Sequence, residues 1–97
     1  MARTKPKYNA KPTEREKQFH LWLMAEVSCA CGCGQASTVV HHPLKRHPDQ
    51  RWRRDHEFVV PMNAQCHFDL HQQGSEDFDA AERANWYRAM GYNRGKL

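Results

Sequence analysis

Ninety-seven residues allow one small domain, and at this size a chain buries proportionally less surface than a larger one, so its core must be thin. Fifteen Lys/Arg against eleven Asp/Glu give a net charge of +4, and the apolar residues make up 39%. The longest apolar run, residues 21–25, falls far short of the ~20 needed to cross a bilayer, which excludes a membrane span.

The basic, polar N-terminus has no apolar segment of the secretory kind, so the chain is expected to stay in the cytoplasm. Residues 1–12 hold Arg3, Lys5, Lys7 and Lys11 with two prolines, and read as a basic flexible arm ahead of a single domain at 13–97. Thr13 and Glu16 fit a capping box that opens a helix, on which Phe19, Trp22, Leu23 and Val27 form an apolar stripe. The β-branched run 37–42, closed by Pro43, reads as a short strand ending on two histidines. A basic loop follows, in which Lys45, Arg46, Arg51, Arg53 and Arg54 stand against Asp49 alone, a density suited to phosphate contacts. Residues 56–60 predict a second strand stopped by Pro61. From about Asn63 a helix carries Cys66, His67, Leu70 and His71 and stops at Gly74. A last helix is expected from a cap at Ser75 or Asp77 to Met90, with Ala81, Ala84, Tyr87 and Trp86 inward and Gly91 after its end.

Four cysteines in a reducing compartment point to metal binding in preference to disulfides. Cys29, Cys31 and Cys33 pack three thiols into five residues separated by small ones, and Cys66 is the fourth thiol that a tetrahedral structural Zn²⁺ needs. Such an ion would tie the N-terminal knuckle to the histidine helix and stabilise a chain this short.

Among seven histidines, His67 and His71 are four apart and share one helix face, the spacing by which a helix presents two imidazoles to a metal. His41 and His42 are neighbours on a strand and point to opposite faces, so they cannot share one role. His41 can complete a three-nitrogen site for a divalent ion with open positions. His42 can then serve as a general base beside it.

The order HH, basic loop, short strand ending Val-Pro, then Cys-His-x-x-x-His on a helix resembles the HNH (ββα-metal) nuclease motif, and its paired histidines are similar to those of colicin-type DNases. The fuller run over residues 19–92, through VVHHPLKR, RRDHEFVVPM, CHFDLHQQG and WYRAMGY, resembles phage-encoded Ref-like HNH nucleases. The resemblance implies a small α+β fold, a ββα-metal core flanked by an N-terminal and a C-terminal helix and a structural zinc knuckle. It implies His41, His67 and His71 as ligands of a catalytic divalent metal (Mg²⁺, Mn²⁺, Ni²⁺ or Zn²⁺) and His42 as the base. The implied activity is hydrolysis of DNA phosphodiester bonds with little sequence specificity, linked to recombination and to a recombination-protein partner.

The chain departs from the family pattern at Asn63, where a ligand cysteine is usual, and at Phe58, where many HNH enzymes carry a bracing Asn. Asp55 or His56 is the candidate to orient His42 in its place. The alternative reading is a non-catalytic zinc-stapled module that binds nucleic acid, which the cysteines and basic loop fit equally well; only the four histidines separate the two.

Overall fold

The computed structural model describes residues 11–50 and 55–97. They form a small α+β unit of three helices and a two-stranded antiparallel sheet: α1 (Glu14–Glu26), β1 (Val39–His41), β2 (Val60–Met62), α2 (Ala64–Gln73) and α3 (Ala80–Asn93). Single 3₁₀ turns at Pro48–Gln50 and Asp55–Glu57 punctuate the connection between the strands. Residues 1–10 of the expected arm, and Arg51, Arg53 and Arg54 of the basic loop, lie outside the described residues. Among the described residues no helix is long and apolar enough to cross a membrane.

The first helix starts where its capping box requires. The Thr13 hydroxyl accepts from the Glu16 N–H at 3.2 Å, and the Glu16 carboxylate accepts from the Thr13 N–H at 2.7 Å. Its inward stripe buries Phe19 and Leu23 completely, with Trp22 and Val27 packed on the margin. Burying side chains of that size contributes roughly 1.5–3 kcal/mol each. These residues meet Phe58, Val59, Val60 and Met62 around β2, Leu70 of α2, and Ala84 and Tyr87 of α3.

The second strand lies later than the sequence suggests. Residues 55–57 form a 3₁₀ turn, closed by the Phe58 N–H on the Asp55 carbonyl at 2.9 Å, and the strand runs through Pro61 instead of stopping before it. The register explains why a proline is tolerated there. Val40 faces Pro61, but the Pro61 carbonyl points away from β1 and accepts from the Ala30 N–H at 2.8 Å. The missing N–H of Pro61 is therefore on the outer side of β2, where no ladder bond is lost.

The last helix also starts later, with Asp79 at its N-cap and neither Ser75 nor Asp77 capping it. Asp77 instead accepts from the Gln73 side chain at 2.8 Å. Ala80, Ala84, Tyr87 and Gly91 face inward, Ala81 is half-buried, and Trp86 is 59% exposed. Gly91 is not a stop signal but a packing position inside α3: a Cβ there would lie 2.6 Å from Cε1 of Phe19, so its bare backbone lets α3 close on α1.

Candidate metal centres

Two turns of local chemistry build the cysteine knuckle. Gly32 and Gly34 sit at φ 91° and 83°, left-handed values that residues with a Cβ avoid, and they alternate with the thiols. The Gly32 N–H bonds the Cys29 carbonyl at 3.1 Å and the Cys29 N–H bonds the Gln35 carbonyl at 2.9 Å, which folds the segment back on itself. Cys29 is buried, Cys31 and Cys33 are exposed, and Cys66 comes to them from α2.

The four sulfurs all lie within 4.8 Å of one another, with Cys29–Cys31 at 3.3 Å and Cys33–Cys66 at 3.6 Å. Thiolates at ~2.3 Å from a tetrahedral ion stand about 3.8 Å apart, so this set can hold a structural metal such as zinc. The backbone N–H of Gln35 holds the Cys33 thiol down at about 7. Hydrogen bonding to Cys33 pushes Cys66 up to about 12. The Cys33 thiolate is thus favoured over that of Cys66, and a bound cation would offset the cost of ionising Cys66. Asn63 lies outside this set: it caps α2 by accepting from the Gln65 N–H at 3.0 Å and donates to the Ala36 carbonyl at 3.1 Å.

The second cluster joins β1 to α2. The alternation of side chains along β1 turns His41 inward, where it is 1% exposed, and leaves His42 on the opposite, exposed face. On α2, His67 and His71 are one turn apart with their Nε2 atoms at 3.0 Å. The His41 ring stands edge-on to both, at centroid distances of 5.2 Å and 5.7 Å. One ring nitrogen from each of the three falls within 4.8 Å of the others. Burial, reinforced by the neighbouring His41 and His71, lowers the pKa of His67 and so favours the neutral ring that binds metals. Burial runs from His41 inside, through His67, to His71 at the surface, so this cluster is open on one side.

His42 meets a different set of partners. Its Nε2 shares a hydrogen bond with Nδ1 of His56 at 3.1 Å, and His20 Nε2 donates to the His56 carbonyl at 2.7 Å. Although His42 is exposed as a residue, desolvation of its ring, with His56 and His20 close by, brings its pKa down to about 4. Of the two candidates to orient His42, His56 is the one in contact. Asp55 is engaged elsewhere, accepting from Arg46 at 2.7 Å and from the Gln50 side chain at 2.6 Å. Phe58 is buried core, with the Arg88 guanidinium 5.2 Å above its ring.

In the basic loop Lys45 is exposed and Arg46 is 41% exposed in its ion pair with Asp55. The loop is pinned to α3 by His47, whose Nε2 lies 3.0 Å from Glu82. Three residues carried no signal in the sequence. His20 shares the buried face of α1 with Glu16, Phe19 and Leu23, and His47 and Glu76 belong to no motif. Glu76, in the α2–α3 connection, accepts from Nε2 of His41 at 2.7 Å and from the Leu44 N–H at 2.8 Å. Compared with family models, curated proteins and solved structures, the chain finds no match.

Proposed function

We propose that the protein is a metal-dependent endonuclease of the HNH (ββα-metal) kind, hydrolysing DNA phosphodiester bonds with little sequence specificity. The carrying observation is the convergence of His41 from the first strand with His67 and His71 from the following helix. The succession of strand, long connection, strand and helix over residues 39–73 supports it. A structural or binding module gains nothing from three imidazoles that open to the surface, whereas a hydrolase needs protein ligands on one side of an ion and free positions on the other.

In this reading His41, His67 and His71 hold a divalent ion, which would supply positive charge against the phosphate and the leaving 3′ oxygen. His42, with a ring that stays neutral, takes a proton from water for in-line attack. His56 holds the His42 ring in place through the 3.1 Å bond and so stands in for the bracing Asn of the family pattern. Lys45, Arg46 and the further arginines of the loop meet the sugar–phosphate backbone, which carries no base information. Products would carry 5′-phosphates. The resemblance behind this reading also suggests a phage or prophage origin and a partner in recombination.

The test is nicking of supercoiled plasmid with Mg²⁺, Mn²⁺, Ni²⁺ or Zn²⁺. Wild type is expected to nick and His42→Ala to lose nicking, while both keep the same zinc content and DNA affinity, because a base acts in the transition state. An active His42→Ala variant overturns the mechanism. DNA binding by wild type without nicking under any of the four ions favours the zinc-stapled binding module.

A further inference from the structure

We propose that Glu76 is a positioning residue for the imidazole metal site, fixing the tautomer and direction of His41; this rests on the reading of His41, His67 and His71 as metal ligands. The chemistry follows from one contact. An ionised carboxylate only accepts hydrogen bonds, so the 2.7 Å contact of Glu76 Oε1 with His41 Nε2 places the ring proton on Nε2. A neutral ring then carries its lone pair on Nδ1. That Nδ1 is buried and has no hydrogen-bond partner among the described residues.

A buried acceptor without a partner is costly, and each one in a folded protein calls for an explanation. Here the use is at hand, because the edge-on rings of His67 and His71 flank the same ring at 5.2 Å and 5.7 Å. A ring held by a carboxylate on one nitrogen and bare on the other is the arrangement that metal-binding histidines use to set ring orientation and basicity. A mere structural pin would not account for the bare nitrogen.

The placement of Glu76 adds a second consequence. The same Oε1 accepts from the Leu44 N–H at 2.8 Å, at the start of the basic loop. One oxygen therefore ties the orientation of the buried ligand to the position of the loop, and its side chain is only 10% exposed.

The experiment uses the full chain with its cysteine-held zinc in place and titrates Ni²⁺ or Zn²⁺ by calorimetry, with wild type, Glu76→Gln, Glu76→Ala and His67→Ala compared. Glu76→Ala is expected to bind about 10–100-fold more weakly. Glu76→Gln, whose amide oxygen can still accept from Nε2–H, is expected to fall between it and wild type. An effect of Glu76→Ala that Glu76→Gln does not relieve at all, or no effect of either, overturns the proposal. Unchanged binding by His67→Ala overturns the metal-site reading itself, so the two failures are distinguishable. A readout that needs no variant is the ¹⁵N spectrum of the His41 ring in wild type at about pH 8, where free imidazoles are neutral. Proton on Nε2 and a bare Nδ1 that shifts on adding Zn²⁺ is the expected result; a proton on Nδ1 overturns the assignment whatever the variants do.

Discussion

Removing the metal from the cysteine cluster is expected to unfold the protein. Net stability of roughly 0.05–0.15 kcal/mol per residue gives a chain of this length about 5–15 kcal/mol. A structural Zn²⁺ bound by such ligands is worth about 10–16 kcal/mol near neutral pH, as much as the whole. The local structure offers little to replace it. The knuckle is joined to the sheet by the Ala30–Pro61 bond and to α2 by the Asn63–Ala36 bond, yet it supplies Cys29 and Ala30 to the core, at 3% and 2% exposure. The assay is a chelator titration followed by far-UV circular dichroism and by tryptophan fluorescence, to which Trp22, stacked on Phe19 at 6.2 Å, contributes. Released zinc and thiol reactivity would be measured in parallel. About one Zn²⁺ per chain should leave together with the cooperative transition. A chelated protein whose four thiols react freely but which melts at an unchanged temperature would refute the reasoning.

Two further outcomes test the packing and the buried histidine. Gly91→Ala should destabilise by up to about 2 kcal/mol, because crowding Phe19 costs about 1–3 kcal/mol against a gain in helix propensity of about 1, and thermal unfolding should show a lower midpoint. An unchanged or raised midpoint would mean that Phe19 can give way. His20 is buried and its pKa lies below 6.5, chiefly through desolvation, so the unfolded chain binds the proton first. Its contribution to stability is fully present above about pH 6.5 and is lost as the pH falls towards the folded value, with a slope of at most about 1.4 kcal/mol per unit. Denaturant unfolding across that range should therefore be steeper in pH for wild type than for His20→Gln, and equal slopes would contradict this.

The elements governed by local rules were legible. The Thr13–Glu16 box, the Gly74 stop and the i,i+4 spacing of His67 and His71 act within a few residues, and each holds in the structure. The alternation that separates His41 from His42 is a property of any strand, and it too was readable. Local rules fail where a distant partner decides. Pro61 reads as a strand stop until Ala30 is seen to take its outward carbonyl, and Gly91 reads as a helix stop until Phe19 is seen against it. Glu76 could not be singled out because its meaning lies in a contact with His41 across 35 positions of sequence. Asp55 and His56 were both open as partners of His42, and only the geometry separates the one that touches His42 from the one engaged by Arg46.

The two candidate metal centres meet on α2; any coupling between their ions is reciprocal, but the support that the protein lends each of them is not. Cys66 and His67 are consecutive, so on a helix their side chains point about 100° apart, one towards the knuckle and the other towards β1. An ion held by the cysteines would thus anchor the first turn of the helix whose next residue and next turn supply His67 and His71. Without that anchor, the start of α2 keeps its cap, the Asn63–Ala36 bond and the Ala64–Thr38 bond at 3.0 Å, which are weak partly exposed contacts. Loss of the exposed His71, by contrast, removes one ligand from the open edge of the second site and touches nothing in the knuckle. Cys66→Ser, in which Cys29, Cys31 and Cys33 can still hold an ion in the knuckle, is therefore expected to weaken zinc binding without unfolding the chain and to weaken the second ion's binding at least tenfold, the scale on which misdirected ligands cost a site. His71→Ala should keep its zinc and its melting temperature while losing the second ion alone. A Cys66→Ser protein that binds the second ion as wild type does would show that α2 is positioned by the sheet and core, and the knuckle would then have no part in building the imidazole site.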